Sequence, residues 1–501
     1  MKNAAFGSKR NKHLIFGCAT LLGASCVLAA DWPQWRGPDR DGKVAGFTEP
    51  KTWPDQLAKA WETTVGAGDA TPALVGDKLY VFARQEDDEV TVCLDAASGK
   101  QIWIDKYPTA AITGMSAAHP GPRSSPAVAD GKVVTLGVNG TLSCLDAETG
   151  KVLWRKDSLK DFSEALPRFY TAASPLIVDK TCITPLGGTG KGAVVALDLD
   201  TGDTKWKWDG DGMTVSSPVV MNVEDSRQVV QVTEKSVVGL SADDGKLLWK
   251  ASYGGGGGMG GGRGGGGMRG GMGGGMGGGM GAGPTSRPSS AGPGGPGMGG
   301  PGMGGPGMGG PGMGGPGMGG PGGGGGMRGG GRGGRGGGMM NLNAPTPVID
   351  GQTVILTGGA GGTKALKIEK NGDAFVATDL WNNPQISATY NTPVVKDGLL
   401  YGVSGKGTLF CLDAKTGKTD WEDTTSRAQR GFGTLVDAGS VLIAMGDAGG
   451  LTVFKPDDKA YTQVAEIKVP ATSTYSYPII DGNHIFIKDQ YAASMFTLGQ
   501  P

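Results

Sequence analysis

Residues 124–157 read SSPAVADGKVVTLGVNGTLSCLDAETGKVLWRKD, and this stretch decides the fold. Pro126 can begin a strand but cannot donate a hydrogen bond in the middle of one. The Asp-Gly pair at 130–131 and the Asn-Gly pair at 139–140 favour the positive φ angles of tight hairpin turns. The stretch therefore predicts a four-stranded antiparallel meander, and its fourth strand carries Trp154.

The same unit recurs along the chain, and it begins at a Pro that follows Ser or Thr, or at a degenerate form of that start. The starts lie 42 to 54 residues apart once the low-complexity residues 254–340 are set aside. Four short strands in a period of this length are typical of a β-propeller blade, so eight starts predict eight blades. The starts are Pro72, Pro126, Pro175, Pro218, Pro347, Pro393, Leu435 and Pro478.

The last unit, at residues 477–497, ends one strand short. Residues 58–65 (AKAWETTV) have the pattern of a fourth strand and place Trp61 where other units carry a Trp. We therefore predict an all-β, eight-bladed β-propeller of four-stranded antiparallel blades, closed by an N-terminal strand that completes the last blade. Closure of this kind removes the open edges of the end sheets.

Composition and repeat pattern divide the chain into five predicted segments. The insert among them lacks the β-branched and aromatic residues that would offset the entropy of ordering, so we expect it to be disordered. The segments are a signal peptide (1–30), an N-terminal extension (31–57), the first propeller part with the closing strand (58–253), a Gly/Met/Pro/Arg insert (254–340) and the second propeller part (341–501).

Residues 1–30 have the pattern of an export signal. Four basic residues precede an apolar run over 14–28, and the small residues that end at Ala30 offer a cleavage site. Cys18 and Cys26 suggest lipidation as an alternative, but the residues before them fit a lipobox poorly, so we expect ordinary cleavage. No later segment has the length and apolarity of a membrane span. We expect an exported protein of the periplasm or cell envelope, either soluble or peripheral to a membrane.

The formal charge of zero hides an uneven distribution. The insert holds six Arg and no acid, and the body without signal and insert has 37 basic and 47 acidic residues. An acidic body argues against a nucleic-acid partner.

The composition of the insert suggests several alternative functions. Its 13 Met residues are soft ligands suited to Cu(I), but no His or Cys accompanies them. Its Arg-Gly tracts resemble RNA-binding boxes, although export argues against RNA. A spacer that touches lipids, glycans or proteins is a third alternative. We interpret the insert as a tolerated expansion of a surface loop, since long loops cost little free energy.

The remaining cysteines do not form a disulfide pattern. Cys93, Cys144 and Cys411 occupy one position of the repeat, and Cys182 lies in a second strand. We expect four free buried thiols that pack as small hydrophobic residues.

The ending of the unit resembles a known family. It reads LDAETGKVLW at 145–154 and LDAKTGKTDW at 412–421, which resembles the pyrroloquinoline-quinone-type propeller repeat. The opening DWPQWRGPDRDG at 31–42 looks like the leader of exported propellers of this family from planctomycete-type bacteria. The units that start at Pro347 and Leu435 lack the Trp of this ending. The resemblance implies a structural, blade-docking role for Trp61, Trp103, Trp154, Trp206, Trp249 and Trp421.

The resemblance is specific for the fold but weak for the activity, because this scaffold serves quinone dehydrogenases and also non-catalytic envelope proteins resembling the outer-membrane assembly factor BamB. It implies that a dehydrogenase carries a vicinal disulfide, a calcium set of Glu, Asn and Asp, and a catalytic Asp. This chain has no adjacent Cys pair, and Asp69 is the one acid close to an inner strand in the relevant loops. We therefore expect the fold without pyrroloquinoline quinone or a metal.

The loops that lead into the innermost strands of a propeller surround the mouth of its channel, a usual place for a ligand. A ring that mixes His, Arg, Tyr and Asn can hold a polar small molecule or dock an envelope protein. The alternative is that these residues only satisfy the loop backbone. The candidates are Asp69, His119, Arg123, Arg168, Tyr170, Ser216, Tyr390, Asn391, Arg430 and Tyr475.

Histidine is too scarce for several mechanisms. After signal cleavage the chain has His119 and His484, so it cannot build a His-rich metal site. We assign no catalytic residue and predict a non-catalytic exported propeller that acts as a protein-binding or assembly scaffold in the cell envelope. The alternative is a divergent quinone-dependent dehydrogenase with its site at the channel mouth.

Overall fold

The computed structural model describes Met1 and residues 31–162, 165–167, 169–253, 344–358, 361–428 and 431–499. Within these residues the chain forms eight four-stranded antiparallel sheets, which are the blades of a propeller. The predicted eight-bladed architecture is confirmed. The predicted signal peptide, with Cys18 and Cys26, and the low-complexity insert lie outside the described residues.

Strand β1 (Ala58–Thr64) comes first and belongs to the last blade. Blade 1 holds β2 (Ala73–Val75), β3 (Lys78–Gln85), β4 (Asp88–Asp95) and β5 (Gln101–Pro108). Blade 2 holds β6 (Ala127–Ala129), β7 (Lys132–Leu136), β8 (Thr141–Asp146) and β9 (Val152–Asp157). Blade 3 holds β10 (Leu176–Val178), β11 (Thr181–Gly188), β12 (Lys191–Asp198) and β13 (Thr204–Trp208). Blade 4 holds β14 (Val219–Val223), β15 (Ser226–Val232), β16 (Ser236–Ser241) and β17 (Leu247–Ser252).

The second half repeats the pattern. Blade 5 holds β18 (Val348–Asp350), β19 (Thr353–Thr357), β20 (Thr363–Asn371) and β21 (Ala374–Asn383). Blade 6 holds β22 (Val394–Lys396), β23 (Leu399–Val403), β24 (Leu409–Asp413) and β25 (Thr419–Glu422). Blade 7 holds β26 (Gly433–Asp437), β27 (Leu442–Gly446), β28 (Gly450–Phe454) and β29 (Gln463–Lys468). Blade 8 holds β30 (Ile479–Asp481), β31 (His484–Lys488), β32 (Ala492–Thr497) and β1.

Two short helical segments lie between blades. These are a 3-10 turn at Gly114–Ser116 and helix α1 (Ser158–Asp161), which is capped by the Asp157 side chain. Neither has the length or the apolar character that a membrane-spanning helix requires.

Blade 2 shows how the turn residues form the unit. Asp130 and Gly131 both have positive φ, 48° and 68°, as the hairpin between β6 and β7 requires. The Asp146 carboxylate accepts hydrogen bonds of 2.8 Å and 2.7 Å from the backbone N–H and the hydroxyl of Thr149, which fixes the turn before β9. The meander therefore follows from local turn chemistry.

The ring closes as predicted. β1 pairs antiparallel with β32, so that Ala58 lies opposite Thr497 and Trp61 lies opposite Met495. The last blade thus takes its outer strand from the N-terminal region, and neighbouring sheets cover both faces of every blade.

Tryptophans on the outer strands tie six of the eight blades to the next. The Trp103 indole N–H donates a 3.0 Å hydrogen bond to the Ala147 carbonyl of blade 2. A Cβ on Gly150 would lie 2.5 Å from this indole, so glycine is needed at that position of the repeat. The same link joins Trp61 to Ala96, Trp154 to Leu199, Trp206 to Ala242 and Trp421 to Asp457.

Two tryptophans depart from the predicted pattern. Trp249 donates to the side chain of Gln228 within its own blade, at 2.6 Å. The prediction that the unit starting at Pro347 lacks a Trp is wrong, because Trp381 of β21 donates to the Ala414 carbonyl at 3.0 Å. The long β20–β21 hairpin moves this Trp further from the start of its unit than in the other blades.

The Ser/Thr-Pro starts link the blades around the channel. In each link the backbone N–H of one start residue donates to the hydroxyl of its counterpart in the next blade. These links join Ser125 to Ser174 (2.9 Å), Ser174 to Ser217 (2.9 Å), Thr346 to Thr392 (3.0 Å) and Tyr477 to Thr71 (2.9 Å).

Blades 4 and 5 share one hydrophobic core although the insert separates them in sequence. Val219 and Val230 of blade 4 pack in a cluster with Val354 and Leu366 of blade 5. The Lys364 ammonium also donates to the Ser252 carbonyl at 3.1 Å. Packing between these two blades is therefore continuous across the insertion point.

The N-terminal extension enters the channel, and we call residues 31–44 the plug. Its backbone bonds to three inner strands. Trp32 N–H donates to Leu74 O at 2.7 Å, Val128 N–H donates to Pro33 O at 2.8 Å, and Val44 N–H donates to Asp437 O at 2.8 Å. These strands belong to blades 1, 2 and 7.

Side chains of the plug reach the remaining blades. The buried Arg40 guanidinium donates to backbone carbonyls of blades 3 and 4, and Trp35 donates to Thr346 of blade 5. The buried Arg36 donates to Pro393 O at the start of blade 6 and lies 5.9 Å from the ring of Tyr477 in blade 8. The plug therefore contacts all eight blades from the channel end that lies opposite the mouth.

Candidate functional site

The loops that lead into the innermost strands form the mouth of the channel. Asp69 and His119 meet there, with His119 Nδ1 2.8 Å from Asp69 Oδ2. Tyr475 packs edge-on against the imidazole, with ring centroids 4.9 Å apart. The His119 side chain is 32% exposed and the Asp69 side chain 12%, so solvent reaches this ion pair mainly through the imidazole.

Electrostatics at the mouth are set by this pair and by a buried lysine. The hydrogen bond that the His119 imidazole donates to the Asp69 carboxylate raises the pKa of His119, and burial opposes this rise. Burial lowers the pKa of Lys488 to about 8. Its ammonium donates to the carbonyls of Gly68 and Asp489 at 2.7 Å and 3.0 Å, so it holds the loop that carries Asp69.

Arg123 and Tyr170 join the loop before blade 2 to the loop before blade 3. The Arg123 guanidinium donates to His119 O at 2.9 Å and to Phe169 O at 3.1 Å, and burial lowers its pKa. The Tyr170 hydroxyl lies 3.2 Å from the Thr113 hydroxyl and accepts a 3.0 Å hydrogen bond from Thr113 N–H, and these two contacts lower the pKa of Tyr170. A cavity of about 440 Å³ lies beside Tyr170. These side chains shape the mouth rather than extend into it.

Ser216 and Asn391 are buried and hold the loops together. The Ser216 hydroxyl donates to Pro345 O at 3.0 Å. The Asn391 amide donates to Val403 O at 2.8 Å and to Gly431 O at 3.2 Å. The predicted candidates Arg168 and Arg430 lie outside the described residues.

Four rings form a continuous row across the mouth, which we call the aromatic row: Tyr390, Phe432, Tyr475 and His119. Tyr390 stacks on Phe432 with centroids 4.2 Å apart, and Phe432 meets Tyr475 edge-on at 5.4 Å. Tyr390 is 41% exposed, so one end of the row faces solvent. Large aromatic side chains at a rigid surface favour protein docking.

Sequence reasoning missed Phe432, Lys488 and the plug arginines. Phe432 stands in the same loop as the predicted candidate Arg430, but its side chain is apolar, whereas the predicted ring consists of polar side chains. Lys488 is the last residue of an apolar run, and a Lys in that position is typical of the solvent-facing end of a strand. Arg36 and Arg40 lie in the stretch that resembles a family leader, and nothing local in the sequence indicates that this stretch enters the channel.

Comparison with known proteins places this fold in a family. The family model described as outer membrane protein assembly factor BamB matches residues 86–258 and 329–423, more than half of the chain. The protein belongs to the BamB family.

Curated relatives of this BamB-family chain fall into two kinds. A quinohemoprotein alcohol dehydrogenase of Comamonas testosteroni is 30% identical over 158 residues, which cover 30% of this chain and 22% of that protein. The outer membrane protein assembly factor BamB of Xanthomonas campestris pv. campestris is 30% identical over 105 residues, 21% of this chain and 25% of that protein. The chain spans 22 to 35% of the length of the first curated dehydrogenases that it matches.

Solved structures show the same two kinds. BamB from Moraxella catarrhalis has a TM-score of 0.53 at 13% identity and covers 88% of this chain and 99% of its own. The quinohemoprotein alcohol dehydrogenase of Comamonas testosteroni has a TM-score of 0.59 at 14% identity and covers 94% and 81%. At such identities the likeness shows the fold alone.

Because some relatives are quinone-dependent dehydrogenases, we compared the mouth of this BamB-family chain with the residues that bind a quinone together with calcium. In the described part of the chain, no three His, Cys, Asp or Glu side chains cluster closely enough to hold a metal ion. The described cysteines are free, buried and in separate blades, as predicted, so they form no vicinal disulfide: Cys93, Cys144, Cys182 and Cys411. Asp69 is engaged by His119. These residues do not fit the quinone-and-calcium set.

Proposed function

We propose that the protein is a non-catalytic, exported β-propeller that binds envelope proteins at the mouth of its channel. One observation carries the proposal: Asp69 and His119 are paired with each other, and Arg123 and Lys488 are bonded to backbone carbonyls, while the aromatic row remains open at Tyr390. A rigid aromatic surface favours a macromolecular partner, because such rings bury large area at low entropic cost.

The family supports a specific kind of partner. Its model is described as an outer membrane protein assembly factor, and two named BamB proteins are among the relatives. We therefore propose that the partner is an outer-membrane protein or a component of its assembly machinery, and that the protein works in the periplasm or cell envelope without a cofactor.

A photo-crosslinking amino acid in place of Tyr390 tests the proposal in the envelope of the native cell. The matched control position is Ile102, which is 47% exposed on the outer strand β5, away from the mouth. We expect position 390 to crosslink an outer-membrane protein or assembly component, identified by mass spectrometry, and position 102 to give no such product. Equal products at both positions, or none at 390, would overturn the proposal.

The alternative is a divergent quinone-dependent dehydrogenase, which the similarity to quinohemoprotein alcohol dehydrogenases favours. Calorimetric titration with pyrroloquinoline quinone, with and without calcium, separates the two functions. We expect no stoichiometric binding. Calcium-dependent binding, together with alcohol oxidation that disappears in Asp69→Ala, would establish the dehydrogenase instead.

A further inference from the structure

The innermost strand of each blade has one edge that its own sheet leaves unpaired, and the plug pairs with this edge in some blades. Trp32 and Leu74 of β2 exchange both of their backbone hydrogen bonds, at 2.7 Å and 2.9 Å. Asp437 of β26 likewise donates to Gly42 O at 2.9 Å and accepts from Val44 N–H at 2.8 Å. In these blades the plug therefore extends the sheet towards the channel axis.

Blades 3 and 4 contact the plug in a different way. The Arg40 guanidinium donates to Ser174 O at 3.2 Å and to Pro218 O at 2.9 Å, and these carbonyls lie just before β10 and β14. Among the described residues, no backbone hydrogen bond joins the plug to β10 or β14 themselves. The inner edges of these two strands therefore stay unpaired.

Strand β14 presents the longer of these two edges. It holds five residues, whereas β10 holds three. A two-residue turn joins Val223 to Ser226, so these two residues form a hydrogen-bonded pair, and every second residue of β14 bonds to β15 in the same way. The alternate residues Val220 and Asn222 therefore direct their backbone N–H and C=O groups towards the channel.

A cavity of about 640 Å³ lies against this edge. Val220 and Asn222 line it together with Ile177 of β10 and with Pro38 and Asp39 of the plug. Val220 is half-buried and Asn222 is exposed, so solvent reaches the unpaired edge. The volume falls within the range of about 300–1,000 Å³ that is usual for ligand pockets. The edge of β14 therefore borders a space that an added strand can occupy.

The charged side chains around the cavity leave one carboxylate unengaged. Asp179 and Arg227 pair with each other at 3.0 Å. Every nitrogen of the Arg40 guanidinium donates to an acceptor of the plug or of the blades. Asp39 is exposed and makes no hydrogen bond or ion pair with the described residues. Its carboxylate is therefore available to a basic side chain of a ligand.

We propose that this cavity binds an extended peptide segment of another protein, which adds to the inner edge of β14 as a further strand and places a basic side chain beside Asp39. Unpaired sheet edges are templates for such pairing, in which main-chain hydrogen bonds supply affinity and side-chain contacts supply specificity. The plug pairs with β2 in the same manner, so the inner strands of this propeller accept an added strand. The site lies at the channel end opposite the mouth and is independent of docking at the aromatic row.

A peptide whose backbone donors are blocked on one edge at a time tests the added strand. The probe is fluorescently labelled acetyl-Thr-Val-Lys-Val-Thr-amide, and its binding to the full chain is measured by fluorescence anisotropy. One derivative is N-methylated at both Val residues, and a second at Lys and both Thr residues. We expect one derivative to bind about tenfold more weakly and the other to keep its affinity, because only one edge of the peptide faces β14. No binding of the parent peptide at about 1 mM, or equal affinities of the two derivatives, would overturn the proposal.

Asn222→Pro places the binding on β14, because proline removes an N–H that faces the channel without removing a hydrogen bond to β15. We expect the parent peptide to bind this variant about tenfold more weakly. Val395→Pro is the matched control, since it makes the same change beside the two-residue turn of β22 in blade 6, away from the cavity. It should leave the affinity unchanged, and equal affinities of the two folded variants would refute the assignment to β14.

Asp39→Asn keeps the proposal testable should Asn222→Pro fail to fold, since it removes a charge from an exposed side chain. We expect the Lys-containing peptide to bind about two- to fivefold more weakly to this variant. A peptide with Gln in place of Lys should bind the variant and the wild type equally. Asp130→Asn is the control, because it removes an exposed carboxylate in the turn before β7 that does not line the cavity. An unchanged affinity of the Lys-containing peptide for Asp39→Asn would show that Asp39 does not recognise the basic side chain.

Discussion

The Glu89 carboxylate of blade 1 accepts a 2.8 Å hydrogen bond from the backbone N–H of Val138 in blade 2. The same carboxylate accepts a 2.5 Å bond from the Tyr107 hydroxyl, and Glu89 is 0% exposed. Burial raises the pKa of Glu89, because removing the carboxylate from water costs free energy. This one side chain nevertheless joins blades 1 and 2.

Glu89→Ala should lower the free energy of unfolding by about 2–4 kcal/mol, because it leaves the Val138 N–H and the Tyr107 hydroxyl buried without an acceptor. Glu89→Gln retains one carbonyl oxygen and similar volume, so its loss should be clearly smaller. Urea unfolding of both variants checks this difference. Equal losses would mean that packing, and not the hydrogen bonds, holds the two blades together at this point.

Gly150→Ala should destabilise the protein through contact with Trp103, since the new Cβ would lie 2.5 Å from the indole. Gly131→Ala is the control, because Gly131 also has positive φ, 68°, but its Cβ would meet nothing within 4 Å. We expect about 1 kcal/mol for the control and roughly 1–3 kcal/mol more for Gly150→Ala. A comparable loss in both, measured by urea unfolding, would exclude the tryptophan contact as the cause.

The ion pair between His119 and Asp69 should make stability depend on pH. Since the folded-state pKa of His119 is raised, its contribution is complete below the unfolded pKa of about 6.5 and is lost as the pH rises through the folded value. The effect should be about 1 kcal/mol or less, because solvent screens a partly exposed pair. Unfolding measured between acidic and mildly alkaline pH should show a decline that His119→Gln and Asp69→Asn both lack.

Arg40→Gln should loosen the plug, because Arg40 links it to carbonyls of blades 3 and 4. Hydrogen bonds from a charged donor are worth about 1.5–3 kcal/mol each, so a loss of roughly 3 kcal/mol or more is expected. Arg227→Gln breaks only the exposed pair with Asp179 at 3.0 Å and should cost less than about 1 kcal/mol.

Limited proteolysis provides a second measurement of the plug. Cleavage within residues 31–57 should become faster in Arg40→Gln and stay unchanged in Arg227→Gln. Resistance of the Arg40→Gln plug to protease would show that the backbone bonds of Trp32 and Val44 suffice to hold it.

Blade number, strand order and ring closure could all be predicted from the sequence, because they depend on local signals that recur. Asp130-Gly131 fixes a hairpin through its own φ angles, and the strand around Trp61 repeats a pattern present in other units. Trp381 escaped prediction because its blade has a longer hairpin and lacks the usual turn, although its contact with Ala414 is the same.

The site was less accessible to sequence reasoning, since it depends on where loops of distant blades meet. Asp69 and His119 could be named as mouth residues, but their pairing depends on contact between the loops before blades 1 and 2. Asn391 and Ser216 resemble ligand-binding residues in sequence, yet they bond to loop backbone. Arg36 and Arg40 act through carbonyls spread around the ring, and such acceptors carry no sequence signature.

The shared core of blades 4 and 5 allows the segment between these two blades to lengthen. Those blades meet through side chains such as Val230 and Val354, not through the chain that joins them. The residues inserted between them add only about 0.2 kcal/mol to the entropy of closing the ring between β1 and β32. The side chains on the blade faces determine which blades pack against each other. The segment that connects two blades can therefore become longer without displacing any residue that lines the channel.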